Sequence, residues 1–261
     1  LVFGPLFFPG EAPGRQLLFS LATFSIAFYA RAIGAVFFGH FGDRIGRKST
    51  LVASLITMGG STLLIGFLPT YEMAGWLAPV LLCVLRCGQG FGLGGEWRGA
   101  TLLVVENAPK GWEGRFGSAP QFGSPVGFIA ANGLFLLLGL ALSEADFKSW
   151  GWRIPFLASI VLVGIGLWVR LKVGETPAFK AALEREAPER VPFAKLLSRH
   201  FGPLLAGSAG VIAVFTIFYL ATSFALAQGA GPLGHKRETF LAMQLVTVCF
   251  QALGLAIAAS L

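Results

Sequence analysis

Long apolar runs, separated by short polar stretches, dominate this chain of 261 residues. A helix that crosses about 30 Å of hydrocarbon needs roughly 20 mainly apolar residues. Seven stretches of the sequence meet that requirement, and a shorter apolar run before them has the length of the end of one more span. The predicted spans cover residues 17–39, 51–69, 76–105, 116–142, 152–171, 201–228 and 239–261. The pattern therefore predicts an all-α, polytopic membrane protein.

The amino-acid composition agrees with this prediction. Hydrophobic residues make up 55% of the chain and charged residues 13%, and the mean hydropathy is +0.72. The predicted spans at 51–69, 116–142 and 201–228 contain no charged residue. Pro120 and Pro125 in the second of these spans would damage a soluble helix, whereas neighbouring helices in a membrane bundle can satisfy the freed backbone groups. A water-soluble globular protein is therefore excluded.

The net charge of +7 follows from the placement of Lys and Arg rather than from a nucleic-acid-binding surface. The polar stretches 40–50, 106–115 and 170–199 together contain twelve Lys and Arg residues, Arg170 among them. The alternate polar stretches contain five. Because Lys and Arg concentrate in cytoplasmic loops, the first set of stretches is predicted to lie in the cytoplasm. We expect the lipid bilayer, and no nucleic acid, as a partner.

Residues 173–199 form a long polar segment with the composition of a cytoplasmic linker that contains a short amphipathic helix. The sequence thus predicts an N-terminal transmembrane half at 1–172, a linker at 173–199 and the start of a C-terminal transmembrane half at 200–261. The chain begins at Leu1 and stops at Leu261, in both cases inside an apolar run. We therefore expect a fragment whose partner is the missing remainder of the same protein.

Four ionisable residues lie well inside the predicted spans: Arg31, Arg86, Glu96 and Arg98. Such a group is costly in hydrocarbon unless it is paired or hydrated, so each is a candidate functional residue. Arg86 and Glu96 are ten positions apart, roughly 15 Å along a helix, so each needs a partner on another helix. A structural role is the alternative: the arginines would then tie helices together, and Glu96 would be a neutral, hydrogen-bonded residue.

The glycine-rich run 90–95 fits the GxGxxG pattern of nucleotide-binding loops, but it follows no predicted strand. Small residues that let helices approach closely explain it better, and the pairs Gly95–Gly99 and Gly123–Gly127 repeat that spacing. The three histidines and three cysteines show no metal-ligand spacing. The sequence also contains no motif of a catalytic site, so we expect neither an enzyme nor a metal site.

The first predicted cytoplasmic hairpin, residues 38–48, reads FGHFGDRIGRK. Two of its glycines permit a tight turn, and Asp43 forms a compact charge cluster with three cations at the bilayer edge. This hairpin closely resembles the G-x-x-x-D-R-x-G-R-[RK] loop of the major facilitator superfamily. The run Arg86-x-x-Gln89-Gly90 resembles the fourth-helix motif of that superfamily, whose arginine is implicated in proton coupling.

Further matches resemble one branch of the superfamily, the metabolite:proton symporters, which carry dicarboxylates, tricarboxylates, shikimate, proline or betaine. They are RCGQGFGLGGEW at 86–97, SWGWRIPF at 149–156 and GETPAF at 174–179. The resemblance implies a fold of twelve transmembrane helices, of which this chain contains the end of helix 1 through helix 8. Two positions depart from the branch: Ala32 stands where it usually has Pro, and Arg98 where it usually has Gly.

The resemblance and the polar residues within the spans together predict functional roles. A solute would bind between the two halves near the bilayer midplane, and alternating access would move it across the membrane. We expect proton coupling by Glu96 and Arg86. The residues predicted to bind the solute are Arg31, Arg86, Tyr29, Gln121, Asn132 and Tyr219. The residues predicted to gate the cytoplasmic side are Gly39, Asp43, Arg44, Gly46, Arg47 and Lys48.

The sequence thus predicts a proton-coupled symporter of a small organic acid or zwitterion in the cytoplasmic (inner) membrane. The proton gradient would be the driving force, and no cofactor is expected. An exporter that works by proton antiport is the first alternative. A membrane sensor that binds a solute without transporting it is the second, although residues 173–199 contain no recognisable signalling domain.

Overall fold

The computed structural model describes residues 3–172, 198, 200–230 and 233–260, apart from the side chains of residues 13, 43, 47, 97, 98, 102 and 260. All regular structure in these ranges is helical, which confirms the predicted all-α fold. The α-helices are α1 (Phe3–Phe7), α2 (Pro13–Ile45), α3 (Arg47–Gly66), α4 (Tyr71–Ala74), α5 (Leu77–Glu106), α6 (Glu113–Ala141), α7 (Glu144–Ser149), α8 (Ile154–Lys172), α9 (Phe201–Tyr219), α10 (Ala225–Ala230) and α11 (Arg237–Ser260). Apart from Ser198, the predicted linker at 173–199 lies outside the described residues, and the division into two halves stays a prediction.

Seven helical stretches of the described chain are long and apolar enough to cross a membrane, and each matches one predicted span. They are Gly14–Gly42, Lys48–Gly66, Leu77–Glu106, Glu113–Ala141, Gly151–Lys172, Phe201–Ala230 and Arg237–Ala259. Large apolar side chains lie exposed along them, such as Val161 in α8 and Ile217 in α9, which are 60% and 69% exposed. An apolar surface of this extent fits lipid as the solvent rather than water.

The hairpin between the first two spans is tighter than the sequence predicts. In place of a polar loop at 40–50, α2 continues to Ile45 and α3 begins at Arg47, so Gly46 alone separates the two helices. Gly46 has a φ of 118°, which residues with a Cβ atom rarely adopt. Gly42 instead lies buried in the last turns of α2. The sharp change of direction therefore depends on Gly46.

The span predicted at 201–228 is not one regular α-helix. After Tyr219, α9 passes into a π-helical segment, Leu220–Phe224, which leads into α10. In this segment the Thr222 carbonyl oxygen accepts a hydrogen bond from the buried side-chain amide of Gln244 on α11. The sequence gives no sign of the segment because the group that satisfies its backbone lies on another helix.

Helix α5 lies between α2 and α3 and contacts both of them closely. A Cβ atom at Gly90 would overlap the carbonyl oxygen of Ala27 in α2, and one at Gly94 would overlap that of Arg31. On the opposite side, a Cβ atom at Gly92 would lie 2.6 Å from backbone atoms of α3. The glycine-rich run is therefore a helix-packing segment, as the sequence predicts.

Of the two predicted small-residue pairs, one packs against neighbouring helices within the described part of the chain. Cβ atoms at Gly95 and Gly99 would overlap side chains of α2 and α3. Cβ atoms at Gly123 and Gly127 in α6 would meet nothing within 4 Å among the described residues. The packing prediction is thus confirmed for α5 and stays a prediction for α6, because spacing identifies a smooth helix face without identifying the helix that covers it.

Phe3, Phe7 and Trp152 form an aromatic cluster at one end of the bundle, called here the Trp152 end. The opposite end, where the hairpin turns, is called the Gly46 end. Trp152 is fully buried, and its ring lies 5.8 and 6.0 Å from the ring centroids of Phe3 and Phe7. Arg153 donates a hydrogen bond of 2.8 Å to the Leu68 carbonyl oxygen, just beyond the C-terminus of α3, where a cation is favoured. These contacts join α1 and the residues just after α3 to the residues just before α8.

We predict that Gly90→Ala lowers the free energy of unfolding by about 2 kcal/mol, because the added methyl group forces α5 away from the α2 backbone. Gly127→Ala is the matched control, since open space surrounds it. Its free energy of unfolding should be unchanged or higher by up to about 1 kcal/mol. Thermal unfolding of the two detergent-solubilised variants measures the difference. Equal midpoints would contradict the close α2–α5 contact.

Candidate functional site

A cavity of about 1290 Å³ separates α2 and part of α5 from α9. Its walls come from one face of α2, between Leu21 and Ala35, and from α9 and the π-helical segment, between Val211 and Phe224. The α2 wall extends roughly 21 Å at 1.5 Å per residue. Typical ligand pockets measure roughly 300–1,000 Å³, so this cavity has room for a small solute together with water.

Arg31 and Tyr219 bring polar groups into this mainly apolar cavity. The Arg31 Cζ atom lies 5.5 Å from the ring centroid of Phe215, and the Tyr219 ring lies 5.1 Å from that of Phe28. A guanidinium can bind a carboxylate through two parallel hydrogen bonds, and the rings provide a rigid apolar wall. Further hydroxyl groups in the lining belong to Ser25, Thr101, Thr216 and Ser223. The arrangement can hold a small anion or zwitterion that has an apolar face.

Arg86 lies beside Phe3 rather than in this cavity, with its Cζ atom 5.2 Å from the ring centroid. Its Nη1 atom donates to Gln89 Oε1 at 3.0 Å, and its buried Nε has no hydrogen-bond partner within the described part of the chain. Gln89 Nε2 donates in turn to the Thr62 hydroxyl on α3 at 2.7 Å. A chain of three polar side chains therefore connects α5 with α3.

The sequence predicts that Glu96 has a partner on another helix, and the structure shows Arg170 of α8 as that partner. Arg170 Nη2 donates to Glu96 Oε1 in a close ion pair, and Arg170 Nη1 donates to the Leu51 carbonyl oxygen at 2.9 Å. The side chains of Arg170 and Glu96 are 17% and 21% exposed, so the ion pair is largely shielded from solvent but water still reaches it. Glu96 Oε2 is buried and has no hydrogen-bond partner among the described residues. The pair ties α5 to α8.

The position of Arg170 corrects the prediction that a polar loop begins at residue 170. Helix α8 continues to Lys172, so Arg170 lies in its last turn. Lys48, in the first turn of α3, donates to the Leu171 carbonyl oxygen at 2.7 Å. The last carbonyls of a helix lack backbone partners and attract cations, which explains this contact. The Gly46 hairpin is thereby attached to the C-terminus of α8.

The predicted gating residues lie on both sides of this hairpin. Gly39 and Arg44 belong to the last turns of α2, with Arg44 exposed, and Gly46 forms the turn itself. The side chains of Asp43 and Arg47 lie outside the described part of the chain. The gating role of this group stays a prediction.

Asn132 lies in a second cavity, of about 200 Å³, at the Trp152 end between α6 and α11. Arg237, at the start of α11, also lines this cavity, and its Cζ atom lies 4.2 Å from the ring centroid of Phe147. The structure therefore places Asn132 apart from Arg31 and Tyr219.

Two further predicted solute-binding residues line neither cavity. Tyr29 is 77% exposed, on a face of α2 different from that of Arg31, because residues two apart point in different directions on a helix. Gln121 is half-buried in α6. The structure thus brings together Arg31 and Tyr219 from the predicted set. The solute-binding roles of all six residues stay predictions.

Sequence reasoning misses Thr62 and Arg170. Thr62 is one of several hydroxyl residues in an uncharged span, and nothing in the sequence shows which of them faces Gln89. Arg170 does carry a signal, because it falls inside the apolar span predicted at 152–171. Assigning it to the last helical turn would make it available to a carboxylate on a neighbouring span.

Comparison with known proteins shows which protein family this sequence resembles. The sequence profile of the family described as Sugar (and other) transporter matches residues 14–196. The inner membrane metabolite transport protein YhjE of Escherichia coli (strain K12) is 50% identical over 252 residues, which cover 95% of this chain and 57% of that protein. The shikimate transporter of the same strain is 43% identical over 248 residues, which cover 94% of this chain and 57% of that protein. The chain thus spans little more than half the length of these relatives.

Among solved structures, a D-xylose-proton symporter superposes on this chain with a TM-score of 0.70 and 17% sequence identity. The superposition covers 96% of this chain and 60% of that one. Similarity at this level of identity shows a shared fold.

We predict that Arg170→Leu lowers the free energy of unfolding by about 2 kcal/mol, because it leaves the Glu96 carboxylate largely shielded without its cation. The control is Lys148→Gln, which breaks an exposed ion pair with Glu144 and should cost no more than about 0.5 kcal/mol. Adding Glu96→Gln to Arg170→Leu should restore part of the loss. Unfolding midpoints of the four proteins test this, and a double variant less stable than Arg170→Leu alone would contradict it.

Proposed function

The chain belongs to the Sugar (and other) transporter family of the major facilitator superfamily, and on this basis we propose that it forms part of a proton-coupled symporter. The family consists of transporters rather than enzymes, as the sequence predicts, and this chain is a multi-pass membrane protein. The proposed solute is a small organic acid or zwitterion, and the proposed location is the cytoplasmic (inner) membrane. The proton gradient would supply the driving force without a cofactor.

The observation that carries this proposal is the cavity between α2 and α9, with Arg31 and Tyr219 in its lining. The cavity lies between helices of the two predicted halves, which is the position that alternating access requires of a solute site. The guanidinium of Arg31 provides the positive charge that attracts a carboxylate, and the rings of Phe215 and Tyr219 provide apolar contact. The shikimate transporter among the relatives supports an organic acid as the solute.

The ion pair between Glu96 and Arg170 supports Glu96 as the proton-binding group. An ionised Glu96 attracts Arg170 and so holds α5 against α8. Protonation neutralises the carboxyl group and removes this attraction. In the proposed cycle, a proton bound at Glu96 therefore loosens the contact between two helices at the Gly46 end, and its release restores the contact.

Arg86 would act at a separate point. It lies ten positions before Glu96 on α5, roughly 15 Å along the helix, and has its own polar partners in Gln89 and Thr62. We assign it the second proton-coupling role that the resemblance implies. The contact of Lys48 with Leu171 supports a gate at the Gly46 end, which the charge asymmetry predicts to be cytoplasmic.

The test of this function is uptake by the complete gene product in proteoliposomes under an inward proton gradient. Labelled shikimate and dicarboxylates represent organic acids, and proline and betaine represent zwitterions. We expect accumulation of one class with acidification of the interior. Glu96→Gln should abolish gradient-driven accumulation and leave exchange of bound solute intact, while the exposed control Glu113→Gln should behave as wild type.

The outcomes separate the alternatives. Full coupled uptake by Glu96→Gln would remove Glu96 from the mechanism without affecting the symport proposal. A wild-type protein that exchanges solute without accumulating it, or drives it out as protons enter, would favour the antiporting exporter. Binding without any flux would favour the sensor.

For solute binding, we predict that Arg31→Gln raises the KM for an organic acid about tenfold, because a charge-assisted hydrogen bond to the carboxylate is lost. Arg15→Gln is the matched control on the same helix, and its KM should equal that of wild type because the Arg15 side chain is 72% exposed and lies outside the cavity lining. Initial rates of uptake at varied solute concentration measure both. A larger effect of Arg15→Gln than of Arg31→Gln would place the solute elsewhere.

A further inference from the structure

Thr62 is the last of the three side chains in the hydrogen-bonded chain that begins at Arg86, and it is the one side chain of the three that belongs to α3. Its hydroxyl group makes two bonds: it donates to the Met58 carbonyl oxygen at 2.8 Å and accepts from Gln89 Nε2 at 2.7 Å. Gln89 Oε1 then accepts from Arg86 Nη1 at 3.0 Å. The chain runs from a backbone carbonyl of α3 to an intramembrane guanidinium of α5.

The chemistry of the three side chains allows only one assignment of donors and acceptors along these hydrogen bonds. A hydroxyl group has one proton, and Thr62 uses it on Met58, so toward Gln89 it can only accept. Its partner must therefore be the NH₂ end of the Gln89 amide. The carbonyl end of the same amide then faces Arg86, which has donors and no acceptor. Thr62 thus fixes the amide orientation that the arginine requires.

Thr57 shows what a threonine of α3 does without such a partner. Its hydroxyl group donates to the Ala53 carbonyl oxygen at 2.8 Å, in the same manner as Thr62 and one and a half turns earlier. No second hydrogen bond of Thr57 occurs among the described residues. The hydrogen bond to a carbonyl oxygen of its own helix therefore accounts for the hydroxyl group of Thr57. For Thr62 it accounts for one of two hydrogen bonds, and the bond from Gln89 needs another explanation.

We propose that Thr62 is a positioning residue, which acts through Gln89 to hold the Arg86 guanidinium in place for transport. Gln89 is the sole hydrogen-bond partner of Arg86 in the described part of the chain, so the orientation of its amide determines where the charge is held. The transport consequence rests on the proposed symport function. The hydrogen-bond consequence at Arg86 is independent of it.

The first experiment observes Arg86 directly in the complete gene product, with ¹⁵N-labelled arginine and nuclear magnetic resonance. Loss of one signal in Arg86→Lys assigns the Arg86 side chain. In Thr62→Val, which keeps the shape and removes the hydroxyl group, we expect exchange of the Arg86 side-chain N–H protons to accelerate about tenfold or more. Thr62→Ser and Thr57→Val should match wild type. Equal exchange in Thr62→Val and Thr57→Val would overturn the proposal.

The second experiment measures uptake of the solute that wild type accumulates. Because Arg86 is assigned to proton coupling, Thr62→Val should lower gradient-driven accumulation roughly three- to tenfold and leave exchange of bound solute within about twofold of wild type. Thr62→Ser should restore wild-type accumulation. In a Gln89→Leu background, Thr62→Val should have no further effect, because Thr62 acts through Gln89. An undiminished effect of Thr62→Val in that background would overturn the proposed route.

The two experiments separate failure of this proposal from failure of the symport function. If wild type accumulates no solute while Thr62→Val still accelerates exchange at Arg86, the symport function fails and the positioning of Arg86 stands. If wild type transports normally and Thr62→Val matches Thr57→Val in both experiments, the function stands and the positioning role of Thr62 fails.

Discussion

The close approach of the α5 backbone to α2 and α3 is the constraint on which the rest of this structure depends. Glycines create it, since a single Cβ atom at Gly90 or Gly94 would overlap a carbonyl oxygen of α2. Helices in lipid gain little from burying apolar side chains, so van der Waals contact and hydrogen bonds must hold them together. The same contact places the backbone of Arg31 against Gly94 and brings the polar groups of α5 within reach of α3 and α8.

A charged residue inside this bundle can have a structural and a functional role at the same time. From the sequence, an arginine or glutamate inside a span either ties helices together or takes part in transport. Arg170 and Glu96 do tie α8 to α5, and the Arg86–Gln89–Thr62 chain ties α5 to α3. A tie made of titratable or solute-sensing groups can be released by the event it senses, whereas a purely apolar contact cannot. In the proposed cycle, the helix contacts that stabilise the fold are thus the ones that change.

The sequence predicts those features that depend on composition along one helix. Apolar runs locate the seven candidate spans found among the described residues, and glycine spacing identifies the smooth face of α5. Prediction from the sequence fails where a structural feature depends on residues of a neighbouring helix. Gly127 has the right spacing, yet a Cβ atom there would meet nothing within 4 Å among the described residues. The π-helical turn at Thr222 depends on Gln244 of α11. In the same way, only the rotation of α2 separates Arg31, which lines the cavity, from the exposed Tyr29.

The second hydrogen bond of Arg170 bears on how Glu96 could bind a proton reversibly. Breaking a shielded ion pair is costly mainly because the remaining charge loses its compensation. Arg170 also donates to the Leu51 carbonyl oxygen, so its guanidinium keeps one partner when Glu96 becomes neutral. At 17% exposure it can also be reached by water. Both features compensate the Arg170 charge when the ion pair opens, which a pair sealed within the bundle would not allow. The proposed role of Glu96 needs such a pair, because in that cycle the contact between α5 and α8 must open and close repeatedly.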